Sequence, residues 1–292
     1  MAVRIVTDSV SSVPPDVAAE LDIDVVPMHV VLDGEELLDG IDIDAAGFYA
    51  RLPTVEHTST SAPSAGEYLE RYEAAAAAGY DAVLVLPLAE RLSASCGNAR
   101  LAARDAPLHV EVVDTGTAAA AQYLVVTAAA RAARDAGETD EALARAVARA
   151  TTAMTHTELI GVVPLLERLE RQSGRVARVL RSIGGRAELL PLITIRGSSV
   201  RPAGVTRHLE VAIDRMSAAV RDAGPCRAAV THAGVPERAA VLAERIRGTE
   251  GVEELVTLGF TPVMGAHTGL GVLGVAWEVL SPGRAASSEA AR

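Results

Sequence analysis

Apolar positions along the chain recur in two alternating rhythms, and the alternation predicts a layered α/β fold. Short β-type runs at residues 3–6, 25–32, 82–86 and 109–113 are separated by stretches whose apolar residues return every three or four positions. Those stretches predict helices over 14–21 (prolines at its start), 44–52, 64–79 (Ser64 as N-cap) and 93–105. Asp33-Gly34 is a turn signal. The run 82–86 is apolar at every position, as a strand covered on both faces must be. Two long alanine-rich helices, 117–135 and 140–154, close this half.

The second half opens with a strand at 159–163 and a charged helix from Pro164. Runs 189–195 and 200–205 flank Arg196-Gly197-Ser198-Ser199 and read as a hairpin. A helix at 206–222, a strand at 227–231, a helix at 236–247 and strands at 254–258 and 271–279 follow. No internal repeat or low-complexity linker divides the halves, so the break at 155–160 rests on the pattern. Residues 281–292 are small and polar and read as a frayed tail.

The 292 residues suffice for one large or two medium domains. Apolar residues make up 49%, yet no run approaches the roughly 18–20 needed to span a membrane. The N-terminus lacks the apolar region of a signal peptide, and Cys96 and Cys226 offer neither a metal-ligand spacing nor a disulfide framework. A cytoplasmic protein without a bound metal is the expectation. The net charge of −11 argues against general nucleic-acid binding. The chain contains no lysine, which rules out Schiff-base chemistry and a phosphate-loop lysine.

Candidate chemistry concentrates in three places. Gly265-Ala266-His267-Thr268-Gly269-Leu270-Gly271 sets a histidine among glycines that let backbone approach a guest closely. Thr60-Ser61-Ala62-Pro63-Ser64 and Leu92-Ser93-Ala94-Ser95 add clusters of hydroxyls. An imidazole and several hydroxyls suit a small oxygen-rich group, a carboxylate or a phosphate. Each residue also has a plainer role: Thr60, Ser61 and Ser64 as turn and cap residues, Ser93 as a helix cap. Asp8 and Asp114, each ending a strand, either converge on a ligand or hold turns, and His232 is a second-rank candidate. The string Gly269-Leu270-Gly271 with Gly274 matches a dinucleotide fingerprint but leads into a strand rather than out of one, so it carries no such meaning. From Glu167 to Arg186, six arginines stand against two glutamates, with the first five spaced three or four apart. This run is either solvated surface or a docking face for an acidic or phosphate-bearing partner.

Taken in order, these segments resemble the DegV family. Ile5-Val6-Thr7-Asp8-Ser9 is similar to the family's opening, Thr60-Ser61-Ala62-Pro63-Ser64 to its TSQPS motif and Leu92-Ser93-Ala94-Ser95 to its LSGT motif. Val113-Asp114-Thr115 resembles VDS, Leu166-Glu167-Arg168-Leu169 with Gly174-Arg175-Val176 resembles LExL…GGRI, and His267-Thr268-Gly269-Leu270-Gly271 resembles HTGPG. Ala62 stands for the motif glutamine, Ala94 for a glycine, Ser95 for threonine, Cys96 for an aromatic, Ser173 for a glycine and Leu270 for proline.

The resemblance implies a two-domain α/β protein, with an N-terminal mostly parallel sheet flanked by helices and a C-terminal α/β domain with a mixed sheet. The expected boundaries are 1–157 and 158–280, with 281–292 a flexible tail. It also implies a non-catalytic protein that holds a long-chain fatty acid between its domains and needs no cofactor. The carboxylate would be presented to the separate ATP-binding subunit of a fatty acid kinase, with transient membrane contact on release. Carried over by position, the carboxylate contacts are Thr60, Ser93 and His267, with Ser61, Ser95 and Thr268 nearby. Arg175, flanked by Arg171 and Arg178, falls in the kinase-docking stretch, which agrees with the independent charge reading. Two other classes remain open: an acyl hydrolase or transferase using Ser93 and His267 with Asp8 or Asp114, and a binder of a small phosphorylated metabolite. A GxSxG elbow, which would favour the hydrolase, is missing.

Overall fold

A computed structural model describes residues 3–136, 139–163, 189–196 and 199–280. The helix expected from Pro164, the arginine run with Arg171, Arg175 and Arg178, the hairpin tip at Gly197-Ser198 and the tail 281–292 lie outside these residues.

The N-terminal half builds a four-stranded parallel sheet in the order β2-β1-β6-β7, from β1 (Val3–Asp8), β2 (Ile23–Val26), β6 (Ala82–Val85) and β7 (His109–Val112). Its strands are fed by helices α1 (Pro15–Leu21), α3 (Ala65–Ala77) and α4 (Ser95–Ala102). The run expected as one strand at 25–32 is two. Pro27, with no N–H to donate, interrupts it, and β3 (His29–Leu32) leaves the parallel sheet for a small antiparallel one. There β3 is flanked by β4 (Glu35–Leu38) and β5 (Thr58–Ser61), with Asp33 and Gly34 both at positive φ in the β3–β4 turn. Helix α2 (Ala45–Arg51) follows β4, its N-cap Asp44 accepting the Gly47 amide at 2.7 Å.

Two long helices join the halves. In α5 (Ala119–Arg134) residues on every face are buried, because the helix lies between the parallel sheet and the C-terminal sheet. Its run of alanines lets both sheets approach. Helix α6 (Thr139–His156) packs on α5 through Ala142, Ala146, Ala150 and Ala153 at helical spacing. The C-terminal sheet has six strands, β8 (Thr157–Val162), β9 (Leu190–Arg196), β10 (Ser199–Thr206), β11 (Cys226–His232), β12 (Val252–Gly259) and β13 (Leu273–Val279), ordered β10-β9-β8-β13-β11-β12. It is mixed, since β11 and β12 pair in parallel and the other pairs are antiparallel. Helices α7 (Leu209–Ala223) and α8 (Pro236–Arg247) cover it.

A charged network ties the helices to this sheet. Buried Arg227 on β11 donates to Glu254 at 2.8 Å, Glu278 at 3.2 Å and the Thr127 hydroxyl of α5 at 2.9 Å. Arg131 of α5 forks onto Glu254 at 2.8 and 2.9 Å, and Arg149 of α6 pairs with Glu278. The Arg131 hydrogen bond holds the Glu254 carboxyl down at about 2.

Candidate functional site

The chain after β12 does not stay on its own sheet. Helix α9 (Pro262–Thr268) crosses to the N-terminal half and packs against α2, β3 and β5. Val263 and Ala266 enter an apolar cluster with Met28, Val30, Ile43, Phe48 and Leu88. Two glycines make this docking possible. A Cβ on Gly265 would sit 2.6 Å from the Phe48 ring, so only glycine allows α9 so close to α2. Gly269, at φ +73°, ends the helix.

This crossing puts His267 beside β5, where its Nε2 lies 2.7 Å from Thr60 Oγ1. The bond joins residues 207 apart in sequence. His267 is accessible to solvent, yet surrounding protein pushes its imidazole pKa below the usual value. Enclosure by neighbouring groups disfavours its charged form.

The second hydroxyl cluster stands at the start of α4. Ser93 Oγ accepts the Ser95 amide at 3.2 Å and lies 2.9 Å from Ser95 Oγ. Asn98, one turn into α4, donates to the Pro63 carbonyl at 2.7 Å and so clamps α4 to the Thr60–Ser64 segment. Leu92, Ala62 and Ala266, one from each motif, pack on the same apolar cluster. The other expected contacts are placed differently. Ser61 alternates to the exposed side of β5, away from Thr60. The Thr268 hydroxyl donates back to the Met264 carbonyl at 2.9 Å, within its own helix. Ser64 caps α3 in a reciprocal capping box with Glu67.

The strand-end carboxylates serve the loops. Asp8 is fully buried; it accepts the Leu88 amide at 2.7 Å and the Gln122 side chain at 3.1 Å, and burial raises its pKa to about 6. Asp114 accepts the Glu90 and Gly116 amides at 3.0 and 2.9 Å. His232 Nδ1 accepts the Val235 amide at 3.2 Å, a turn contact.

Asp39 is a residue that sequence reasoning missed. It is buried, accepts the Ser9 hydroxyl at 2.7 Å and faces Thr261 and the Val263 amide where α9 begins. Burial pushes its carboxyl up to about 6 and, with the Asp39 charge, the Tyr49 phenol well above its ordinary value. An aspartate between a strand and a glycine carries no signal beyond that of a turn.

A separate open groove of about 570 Å³ lies between β7 and α6, lined by His109, Glu111, Asp140, Leu143 and Val147. It is remote from α9 in the fold and holds none of the hydroxyl residues of the motifs.

The sequence model of the DegV family matches residues 2–280. The chain belongs to the DegV family. A DegV domain-containing protein of Streptomyces coelicolor is 35% identical over 277 residues, covering 94% of this chain and 97% of that one. Among solved structures of the family, a lipid-binding DegV protein from Thermotoga maritima superposes with a TM-score of 0.85 at 26% identity, covering 96% of this chain and 99% of that one. DegV from Bacillus subtilis, a fatty-acid-binding protein, gives 0.82 at 25% identity, with coverages of 96% and 99%.

Proposed function

We propose that this DegV protein is a non-catalytic carrier that holds one long-chain fatty acid, its carboxylate at Thr60, Ser93 and His267. The observation that carries this reading is the Thr60–His267 hydrogen bond. It brings together two expected head-group residues from opposite halves of the chain, beside the apolar side chains packed under α9. Met264 and Tyr49 border both the cluster under α9 and a second one containing Ala119, Val163, Ile193, Ala233, Phe260 and Val272. That second cluster draws on both halves of the chain, and an acyl tail between the domains would run along it. Related DegV proteins of known structure bind fatty acids, which supports the same ligand class here.

The energetics divide the work between tail and head. Burying about fourteen methylenes at about 0.8 kcal/mol each contributes about 11 kcal/mol before ordering costs. Each hydrogen bond to the carboxylate adds about 1.5–3 kcal/mol. The tail therefore sets affinity and the hydroxyls and imidazole set orientation. Orientation matters for a carrier that hands its carboxylate to a separate kinase subunit, the role we assign to it. Arg175, with Arg171 and Arg178, supplies the docking charge in this scheme. The domains divide at residue 157, with α9 returning to the first of them.

Titrating delipidated protein with a fatty acid tests the reading. His267→Ala and Thr60→Ala are each expected to weaken binding about 10- to 100-fold while the protein stays folded. Wild-type affinity in both variants would remove these residues from the site.

A further inference from the structure

On the outer face of the small antiparallel sheet a histidine stands between two carboxylates. His29 of β3 pairs in register with Ser61 of β5, so its side chain shares the face of Ser61 and points away from Thr60. Its Nε2 lies 2.9 Å from Glu67 Oε1 of α3, and its Nδ1 lies 3.1 Å from Glu36 Oε1 of β4. The other Glu67 oxygen accepts the Ser64 amide and the Ser64 hydroxyl, each at 2.8 Å. Among the described residues, Glu36 and Glu67 are the charged groups in contact with the ring. Strand β5 carries hydroxyls alone, and Arg71, one turn beyond Glu67, is turned to Asp24 of β2 at 3.8 Å.

These contacts close a loop on the segment that carries Thr60. The strand ladder holds Ser61 against His29, and Glu67 ties Ser64 to the same ring. Pro63, inside that loop, accepts the Asn98 side chain at 2.7 Å, which attaches α4 and the Ser93 cluster at its start. The spacing between Thr60 and Ser93 therefore depends on His29.

A neutral imidazole has one N–H and one bare lone pair. Whichever nitrogen kept the hydrogen, the other would turn its lone pair to a carboxylate oxygen 2.9 or 3.1 Å away. An imidazolium is attracted to both. Burial works against the Glu67 charge, but the Ser64 amide and hydroxyl and the His29 ring outweigh it, and the carboxyl lies below its ordinary value. The ring, rather than Glu67, therefore carries the proton, and histidine is the side chain whose ordinary titration falls between pH 5 and 8.

We propose that His29, as an imidazolium between Glu36 and Glu67, is a positioning residue that sets Thr60 relative to Ser93, so that the protein holds its fatty acid less tightly once this ring loses its proton. The inference rests on the fatty-acid reading of the site and adds a regulation to it. The ring's contribution is present at low pH and is lost as pH rises through its titration.

Delipidated wild type, His29→Gln and Glu67→Gln would be titrated with laurate between pH 5.5 and 8.5, and the His29 ring followed by NMR over the same range. Comparing proteins at one pH cancels the ionisation of laurate and of His267, which all of them share. Wild type is expected to bind about 3- to 10-fold more tightly than His29→Gln at pH 5.5 and within about twofold of it at pH 8.5. Glu67→Gln keeps a residue able to complete the capping box but loses the ion pair, and should weaken binding by a similar factor at pH 5.5. If His29 acted only through its charge on the ligand carboxylate, removing a neighbouring negative charge would tighten binding instead. Glu36 is exposed, so Glu36→Gln leaves the packing alone; it should move the midpoints of ring titration and of binding loss to lower pH together. A wild-type advantage over His29→Gln that does not change with pH, a ring that does not titrate in this range, or tighter binding by Glu67→Gln would overturn the inference and leave the carrier reading intact. Wild-type protein that binds no laurate at any pH would overturn both.

Discussion

Gly265→Ala perturbs the site without touching a group that meets the ligand. The added methyl would sit 2.6 Å from Phe48 Cε1 and 2.8 Å from the Tyr49 hydroxyl oxygen. Carbon atoms in good contact lie about 3.5–4.0 Å apart, so about 1 Å of clearance is missing. Phe48 is fully buried in the cluster beneath α9 and has no space into which to retreat. Tyr49 is hemmed in by Gly234, where a Cβ would come within 3.1 Å of its ring. Helix α9 must therefore move, and a shift of about 1 Å takes the 2.7 Å Thr60–His267 contact out of hydrogen-bonding range. Overpacking costs about 1–3 kcal/mol, while replacing glycine by alanine in a helix returns about 1 kcal/mol. The net loss of stability is about 0–2 kcal/mol, too small to unfold the protein. The loss of an oriented contact to the carboxylate is larger, about 1.5–3 kcal/mol, or about 10- to 150-fold in affinity. Fatty-acid titration alongside thermal unfolding reads both. Wild-type affinity and melting in Gly265→Ala would refute the claim that α9 positions the head group.

Other perturbations test the frame around the site. Glu278→Ala leaves buried Arg227 without one of its two carboxylates and is expected to cost about 3–5 kcal/mol in urea unfolding, whereas an exposed pair such as Arg145–Glu141 should cost under about 1 kcal/mol. Asp8 and Asp39 have folded-state pKa values raised to about 6, so each binds its proton more tightly when folded. Their stabilising contribution is fully present below about pH 4 and is lost as pH rises through 6, with a slope of up to about 1.4 kcal/mol per pH unit for each group. His267 and His232, with lowered values, work in the opposite direction. Asp39→Asn should therefore flatten the loss of stability between pH 5 and 7.5, and an unchanged slope would contradict the assignment. Gln122→Leu removes a donor to Asp8 Oδ1, Thr7 and the Leu86 carbonyl and should destabilise the β1 loop by about 1–3 kcal/mol, measured by chemical denaturation.

Much of the fold was legible because its elements carry strong local signals. The apolar run at 82–86, the capped helix after Ser64 and the long alanine helices all reappear as β6, α3, α5 and α6. Strand β3 escaped because hydrophobicity continues across Pro27 while pairing does not. The hydroxyl and histidine motifs were visible as residue types, but their assembly was not. His267 reaches Thr60 only because α9 crosses between the halves, a tertiary event that leaves no trace in periodicity beyond its glycines. Asp39 and Gln122 were illegible for a simpler reason: their roles come from burial, and an isolated polar residue does not announce that it will be buried. The glycines were read as room for a guest, and Gly265 makes room for Phe48 and Tyr49 instead.

The most direct test of the carrier reading is mass spectrometry of protein purified from a bacterial host, comparing its native mass with the organic extract after denaturation. One fatty acid per chain, retained under native conditions and released on unfolding, is the expected result. A native mass equal to that of the bare chain, with no fatty acid taken up when one is offered, would contradict it.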